Sequence, residues 1–245
     1  MHRFFVPAEK LHQKQVVLAG PQAHQIRDVL RMKAGENIIV LDNTGDEYTV
    51  SLIEIDRRNV VGEVIEKRRS ESEPRTQITL CQSLLSREKF EWVLQKCTEV
   101  GVSCFVPIVT ERSIIRRPQT ITPQKMSRCQ NIITEAAEQS GRARIPALES
   151  PLLFTDVQAR LAGFDCCLVG SVAGNRSSLR QILESVKKES AHVALLIGPE
   201  GGFTEKEIAD ACGRGAKAFS LGKRILRTET AAIVASALIL YELDQ

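Results

Sequence analysis

The sequence has few aromatic residues and none of the cysteine or histidine spacings that mark metal sites. Only 4% of its 245 residues are aromatic, with one Trp and two Tyr, so a binding face built from stacked rings is not expected. The seven cysteines form no CxxC pair and the four histidines show no ligand spacing, so we expect no metal. An odd number of cysteines, mostly within apolar runs, is typical of reduced, buried thiols in a cytoplasmic protein.

The chain also lacks a strong net charge and a long apolar run. The net charge is +3, too small by itself to indicate a nucleic-acid-binding protein. Residues 75–150 carry 11 Lys and Arg against 7 Asp and Glu, so a basic surface is expected there. No signal-peptide pattern opens the chain and no apolar stretch reaches transmembrane length. We therefore expect a cytoplasmic globular protein with no membrane partner.

The first part of the chain is predicted to be rich in β-strands. Three short runs predict a meander typical of a small barrel or sandwich: IIVLD (38–42), YTVSLIEI (48–55) and VVGEVIEK (60–67). A helix is predicted over Ala23–Met32, where Arg27 and Arg31 are spaced i, i+4 and would share a face. The polar segment RRSESEPRT (68–76) predicts a boundary between domains over residues 1–72 and 73–245.

Beyond this boundary, predicted strands alternate with predicted helices. The strands are QITLCQSLL (77–85), SCFVPIVT (103–110), DCCLVG (165–170), VALLIG (193–198) and AFSLG (218–222). The helices are a segment with an apolar stripe (Phe90, Val93, Leu94, Cys97), a stretch near Pro123–Gln139, and the apolar C-terminal TAAIVASALILYEL. This alternation predicts an α/β domain with a mostly parallel sheet covered on both faces.

A glycine-rich loop joins one of these strands to a helix in LLIGPEGGFTEKEI. Thr204 is the predicted N-cap, Glu207 completes a capping box, and Phe203 and Ile208 occupy the positions of a hydrophobic staple. The P-loop ending GK[ST] is missing, and Glu200 within the loop would repel a phosphate. We expect a neutral or cationic ligand at this strand end. A tight strand-to-helix turn without a ligand is the alternative.

A second loop of the same kind follows in SLGKRILRTETAA. A strand ends at Gly222, and a helix is predicted to begin with Thr228 or Thr230 as its N-cap. Two such loops at neighbouring strand ends could hold a flat ring between them. A carboxylate at Glu229 would favour the helix dipole, whereas a cation at Arg227 would oppose it. Arg227 is therefore better explained by a functional role, and both roles stay open for Glu229.

These two loops, in this order and spacing, resemble the SPOUT class of methyltransferases. SREKFEWVLQKCTEVGV (86–102) and EAAEQSGRARIP (135–146), with FFVP and VLRMKAGE, make the chain similar to the bacterial ribosomal RNA small subunit methyltransferase E family over essentially its whole length. The resemblance implies an α/β SPOUT-type parallel-sheet domain with a C-terminal trefoil knot, plus a small N-terminal PUA-like RNA-binding β-barrel domain. It also implies a homodimer that uses S-adenosylmethionine to methylate N3 of a specific uridine in 16S rRNA of the 30S subunit.

Two alternatives to this function stay open. A SPOUT enzyme could act on tRNA or on another rRNA position, which the resemblance of the first domain disfavours. A non-catalytic RNA-binding assembly factor could retain the cofactor pocket, which the intact GPEGG and RTETA motifs disfavour.

The resemblance also implies roles for individual residues. The cofactor-binding residues would be Leu168, Val169, Gly170, Ile197, Gly198, Glu200, Gly201, Gly202, Leu221, Gly222, Ile225 and Leu226. No histidine lies in any motif, so we expect Glu229 to act as general base and Arg227 to stabilise the uridine anion, with Glu200 as a second candidate for the base. RNA contacts are expected from basic side chains at Arg3, Arg27, Arg31, Lys89, Lys96, Arg112, Arg142 and Arg144. Lys89 and Lys96, seven residues apart, should share a helix face.

Overall fold

The computed structural model describes residues 1–12, 14–171, 177–186 and 190–244. Two compact units are present. The first contains residues 1–73 and 137–145, and the second contains residues 74–136 and 146–245. Among the described residues, no helix combines the length and the apolar character needed to cross a membrane.

The first unit is a curled half-barrel of β-strands with a short helical segment. Its elements are β1 (Arg3–Phe5), β2 (Leu11–His12), β3 (Gln15–Ala19), α1 (Pro21–His24) continued by a π-helical turn (Gln25–Val29), β4 (Asn37–Leu41), β5 (Asp46–Ile55) and β6 (Asn59–Arg69). The described strands follow the order β1–β4–β5–β6–β3–β2. The predicted meander is β4–β5–β6, paired antiparallel throughout. The first unit has an apolar core that includes Phe4, Leu18, Ile38 and Leu52.

The helical segment in this unit is shorter than predicted. It ends at Val29, and Arg31 lies beyond it in the left-handed region with φ +53°. The prediction that Arg27 and Arg31 share a helix face is therefore wrong. The Arg27 guanidinium instead binds the carboxylate of the adjacent Asp28, with Nε 2.8 Å from Oδ1.

A buried carboxylate organises one side of the half-barrel. Glu47 accepts hydrogen bonds from Arg3 (2.8 Å), Ser70 (2.7 Å) and Arg68 (2.9 Å). Burial raises the pKa of Glu47, but the three donors outweigh burial and lower it to about 2. The carboxylate is therefore ionised at neutral pH and stabilises the folded state there.

Residues 137–145 join the first unit through a second acidic group. The Glu73 carboxylate accepts hydrogen bonds from the backbone N–H groups of Ala143 (2.9 Å) and Arg144 (3.1 Å), and from the Arg142 guanidinium (2.7 Å). Arg142 is 4% exposed. Because a buried charge needs a partner, this ion pair fixes the segment to the residues just before the second unit.

The second unit is an α/β unit. Its elements are β7 (Gln77–Ser83), α2 (Arg87–Val100), β8 (Cys104–Val109), α3 (Pro123–Ser140, whose last turn belongs to the first unit), β9 (Ala147–Leu148), β10 (Leu152–Leu153), α4 (Phe154–Arg160), β11 (Cys166–Gly170), β12 (Ser177–Ser178), α5 (Leu179–Leu183), β13 (His192–Ile197), α6 (Glu205–Gly213), β14 (Lys217–Ser220) and α7 (Thr228–Leu243). The described strands follow the order β10–β8–β7–β13–β11–β14–β12, with β9 beside β8.

The sheet of the second unit is parallel and covered on both faces. All pairings recorded among its described strands are parallel, as predicted. Alternate residues of β13 point to opposite faces, and both sets are buried, with Leu195 and Leu196 fully so. On one face Leu196 packs in a cluster with residues of α4 and α6, and α7 contacts β7 and β13. Because β11 lies between β13 and β14, their carboxyl ends meet at one edge of the sheet.

Candidate active site

A cavity of about 700 Å³ opens where β11, β13 and β14 end. Its walls are Gly170–Ser171, the loop of residues 197–202 that follows β13, and residues 219–229 with Ala231, which lead from β14 into α7. The predicted cofactor residues line this cavity, except Leu168 and Val169, which are buried inside β11. The structure therefore brings the two glycine loops together at one site of a size suited to a small-molecule ligand.

The first loop is shaped by glycine and by the start of α6. A Cβ at Gly198 would lie 3.0 Å from the backbone nitrogen of Phe203, closer than side-chain atoms normally approach. The predicted capping box is confirmed. The Glu207 N–H donates to Oγ1 of Thr204 at 3.2 Å, and the Thr204 N–H donates to Oε2 of Glu207 at 2.8 Å. The capping box therefore fixes the end of the loop where α6 begins.

The second loop is tied to the first by a threonine hydroxyl. Neither predicted N-cap is correct, because Arg227 occupies that position with an extended backbone and Thr228 is the first helical residue. The Thr228 hydroxyl donates to the carbonyl of Gly198 at 2.6 Å and accepts a hydrogen bond from Nε2 of Gln82 at 3.2 Å. These buried bonds link β7, β13 and α7 beneath the cavity. No local pattern indicated Gln82, because β7 carries three other polar residues, Gln77, Thr79 and Ser83.

A further contact supports the first loop from outside the cavity. Arg112 donates from its guanidinium to the carbonyl of Gly201 at 2.8 Å. The neighbouring Glu111 N–H donates to Oε1 of Glu207 at 2.8 Å. The structure thus places Arg112 against the glycine loop, where its charge neutralises carbonyl dipoles.

Two predicted site residues form an ion pair at the rim of the cavity. The Lys89 ammonium group on α2 lies 2.9 Å from Oε1 of Glu200. Partial burial raises the pKa of Glu200, but the hydrogen bond from Lys89 and one from its own backbone N–H lower it overall. Glu200 is therefore held as an anion, which makes it a poor proton acceptor at neutral pH and a good neighbour for a cation.

Two of the three residues predicted for catalysis, Arg227 and Glu229, line the same cavity at the start of α7. Arg227 is exposed. Glu229 is half-buried, and its Oε2 atom is buried without a hydrogen-bond donor among the described residues. Buried carboxylate oxygens normally have a donor. Glu229 thus has an unused acceptor atom, while Glu200 is already paired.

The remaining predicted basic residues differ in how available they are. Lys96 shares a face of α2 with Lys89, as predicted, and lies 5.1 Å from the ring centroid of the exposed Trp92 while binding Glu99. In the first unit, the Arg144 guanidinium donates to a backbone carbonyl at 3.0 Å. Arg142 is buried against an acidic partner, so its charge is not presented on the surface.

Most of the cysteines are buried or partly buried. All seven are free thiols, and burial raises the pKa of Cys97 to about 12 and those of Cys104 and Cys167 to about 11. Four of them are buried, Cys104 and Cys129 are partly buried, and Cys212 is exposed. Across the described residues, no group of His, Cys, Asp and Glu side chains is arranged to hold a metal ion.

Comparison with known proteins defines the class of the chain as an RNA methyltransferase. A family model described as an RNA methyltransferase domain matches residues 71–240, and one described as an RNA methyltransferase PUA domain matches residues 18–65. Two similar proteins are the ribosomal RNA small subunit methyltransferases E of Synechocystis sp. and Bacillus subtilis. The first is 33% identical, covering 97% of this chain and 77% of its own, and the second is 32% identical, covering 100% and 98%.

A solved structure agrees with this result. The ribosomal RNA small subunit methyltransferase E from Neisseria gonorrhoeae bound to S-adenosylmethionine aligns with a TM-score of 0.88 and 30% identity, covering 98% of this chain and 97% of that one. The chain belongs to the ribosomal RNA small subunit methyltransferase E family.

Proposed function

We propose that the protein transfers a methyl group from S-adenosylmethionine to N3 of a specific uridine in 16S rRNA of the small ribosomal subunit. The observation that carries this proposal is the cavity between two glycine loops that the Thr228 hydroxyl ties together. The names of the relatives and the cofactor in the gonococcal structure support the same substrate and cofactor class.

The residues present fit this cofactor. Eleven of the 21 residues that line the cavity are glycine, proline or aliphatic residues, and backbone N–H and C=O groups there can recognise the edge of an adenine. Glu200 supplies a negative charge at the rim, which favours a sulfonium cation. S-adenosylmethionine supplies a methyl group that its sulfonium makes electrophilic. The residues proposed to hold it are Leu168, Val169, Gly170, Ile197, Gly198, Glu200, Gly201, Gly202, Leu221, Gly222, Ile225 and Leu226, of which Ile225 would contribute its backbone and not its exposed side chain.

The chain's own residues would supply the proton transfer. Neutral uridine carries a proton on N3 and is a poor nucleophile, so this proton must leave as the N3–methyl bond forms and the methyl–sulfur bond breaks. We assign the acceptor role to Glu229, because its Oε2 has no donor among the described residues, and the proton goes to that carboxylate. Arg227 at the cavity wall stabilises the negative charge that develops on the uracil oxygens. Glu200 is the second candidate for the base, disfavoured by its ion pair with Lys89.

The wider assembly forms part of the same proposal. The first unit, expected as a domain over residues 1–72, would bind rRNA of the 30S subunit with its basic side chains. The second unit, expected over residues 73–245, would act as a cytoplasmic homodimer whose chain forms a trefoil knot near its C-terminus. The proposed RNA contacts are Arg3, Arg27, Arg31, Lys89, Lys96, Arg112 and Arg144. Arg142 is left out because it is buried.

Methyl transfer from labelled S-adenosylmethionine tests this function. The purified protein is incubated with 30S subunits that lack the modification, with naked 16S rRNA, and with tRNA as a comparison. Incorporation into the ribosomal substrates alone is expected. Tight cofactor binding with incorporation only into tRNA would reassign the substrate, and cofactor binding with no transfer to any RNA would favour an assembly factor.

A further inference from the structure

The second glycine loop presents an exposed apolar side chain among cations. Ile225 is 81% exposed, more than any other large apolar residue in the described part of the chain. Lys223, Arg224 and Arg227 are exposed around it, and no carboxylate forms an ion pair with any of these three within the described residues. All four residues line the cavity.

This arrangement suits an RNA strand better than it suits solvent or the cofactor. A single exposed apolar residue is ordinary on a protein surface, but this one lines a cavity together with three cations that form no ion pair within the described residues. The high exposure means that the Ile225 side chain covers little of the cavity, so the wall there consists mainly of its backbone. A polyanion with apolar base faces matches both the cations and the isoleucine.

The proposed reaction also requires the target base to leave its stack. N3 lies on the Watson–Crick edge of uridine, which a cavity at a sheet edge cannot reach while the base is stacked within RNA. Enzymes and architectural proteins that open a stack commonly insert an apolar side chain, such as Ile, Leu or Phe, between neighbouring bases.

We propose that Ile225 is a wedge that occupies the gap left in the RNA stack when the target uridine turns into the cavity, while Lys223 and Arg224 bind the flanking phosphates. Ile225 is thus a positioning residue for the substrate. The inference rests on the proposed function, because it needs an RNA base to enter the cavity.

The test uses the full-length protein and four variants. Ile225→Ala removes the wedge, Ile225→Met keeps a long apolar side chain, and Lys223→Gln with Arg224→Gln removes two charges. Leu153→Ala on β10 is the matched control, since Leu153 is also exposed (45%) and lies outside the cavity lining. Three quantities are measured for each: cofactor affinity by calorimetry, RNA affinity at several salt concentrations, and the single-turnover rate of methyl transfer. Once the methylated uridine is mapped, 2-aminopurine placed beside it in an RNA fragment reports unstacking.

Ile225→Ala should leave cofactor affinity within about twofold of wild type and lower the single-turnover rate by roughly 10- to 100-fold, because the unstacked RNA is no longer held open. The rise in 2-aminopurine fluorescence on binding should be lost in this variant. Ile225→Met should recover most of both signals. The Lys223 and Arg224 double variant should weaken RNA binding and reduce its salt slope by about 1.4, the value for two contacts to single-stranded RNA. Leu153→Ala should behave as wild type.

Three results would overturn the wedge and leave the proposed function intact. A loss of cofactor affinity of about tenfold or more in Ile225→Ala would make the side chain a wall of the cofactor site. Dissociation of an oligomer in this variant would make it a contact between copies of the chain. Wild-type rates and fluorescence in Ile225→Ala would leave the side chain without a role in the reaction. A wild-type protein that methylates no RNA would refute the proposed function itself, and the wedge with it.

Discussion

Replacement of Thr228 by valine tests how the two loops are held together. Valine has nearly the same shape but no hydroxyl, so the packing stays while the bonds to Gly198 and Gln82 are lost. Thr228 is 7% exposed and Gln82 is 1% exposed, so water has little access to the place of the missing hydroxyl. A buried polar group left without a partner costs about 1–3 kcal/mol. The Gly198 carbonyl accounts for that cost, because it loses the donor. The Gln82 amide keeps a second bond, to the carbonyl of Ser83, so its lost bond adds only about 1 kcal/mol. We therefore expect the free energy of unfolding to fall by about 2–4 kcal/mol in total.

Urea unfolding and calorimetry with S-adenosylmethionine measure the two expected effects of Thr228→Val. The variant should unfold at a lower urea concentration than wild type. It should also bind the cofactor more weakly, because the two loops are no longer fixed to each other. Thr228→Ser is the matched control, since it keeps the hydroxyl and loses one methyl group worth about 1 kcal/mol. If Thr228→Val proves as stable as Thr228→Ser and binds the cofactor equally well, packing alone holds the loops and our reasoning is wrong.

Further predictions concern the base, the glycine loop and the half-barrel. Glu229→Gln should lower the single-turnover rate by about 10²- to 10⁴-fold with little change in cofactor affinity, and a normal rate would remove Glu229 from the chemistry. Gly198→Ala places a Cβ 3.0 Å from the backbone nitrogen of Phe203. It should lower the free energy of unfolding, measured with urea, by about 1–3 kcal/mol and weaken cofactor binding. Wild-type values would show that the loop accommodates the methyl group without strain. The folded-state pKa of Glu47, about 2, lies below the ordinary value of about 4.3. Its stabilisation is therefore complete at neutral pH and is lost as the pH falls from about 4.3 to about 2. The free energy of unfolding of Glu47→Gln, measured from pH 7 to pH 3, should be lower than that of wild type at pH 7 and should depend less on pH. Parallel plots of this free energy against pH for the two proteins would contradict the prediction.

The architecture of the second unit follows from local patterns in the sequence. Continuous apolar runs predicted the parallel strands. The apolar stripe of Phe90, Val93, Leu94 and Cys97 predicted α2, in which all four side chains are buried. The capping box at Thr204 was predicted correctly because both of its hydrogen bonds form within four residues of the chain. Interactions of this range can be predicted from spacing alone.

The sequence could not reveal contacts between residues that are distant along the chain and meet only in the folded protein. The ion pair of Glu73 with Arg142 joins groups 69 positions apart, so Arg142 looked like one more surface cation. Thr228 looked like an N-cap, because a threonine before a helical stretch usually is one. Its hydroxyl is used instead by Gly198, 30 positions away. In both cases a polar partner distant in the sequence binds the side chain, and no local pattern indicates that partner.

Nucleoside analysis of 16S rRNA tests the central claim most directly. Subunits that lack the modification are incubated with the protein and S-adenosylmethionine, the rRNA is digested, and the methylated nucleosides are separated and identified by mass spectrometry. The proposed function predicts one new product, 3-methyluridine, that appears with wild type and is absent with Glu229→Gln. A methyl group on another atom or another base, or an equal yield from Glu229→Gln, would contradict the assignment of uridine N3 and its base.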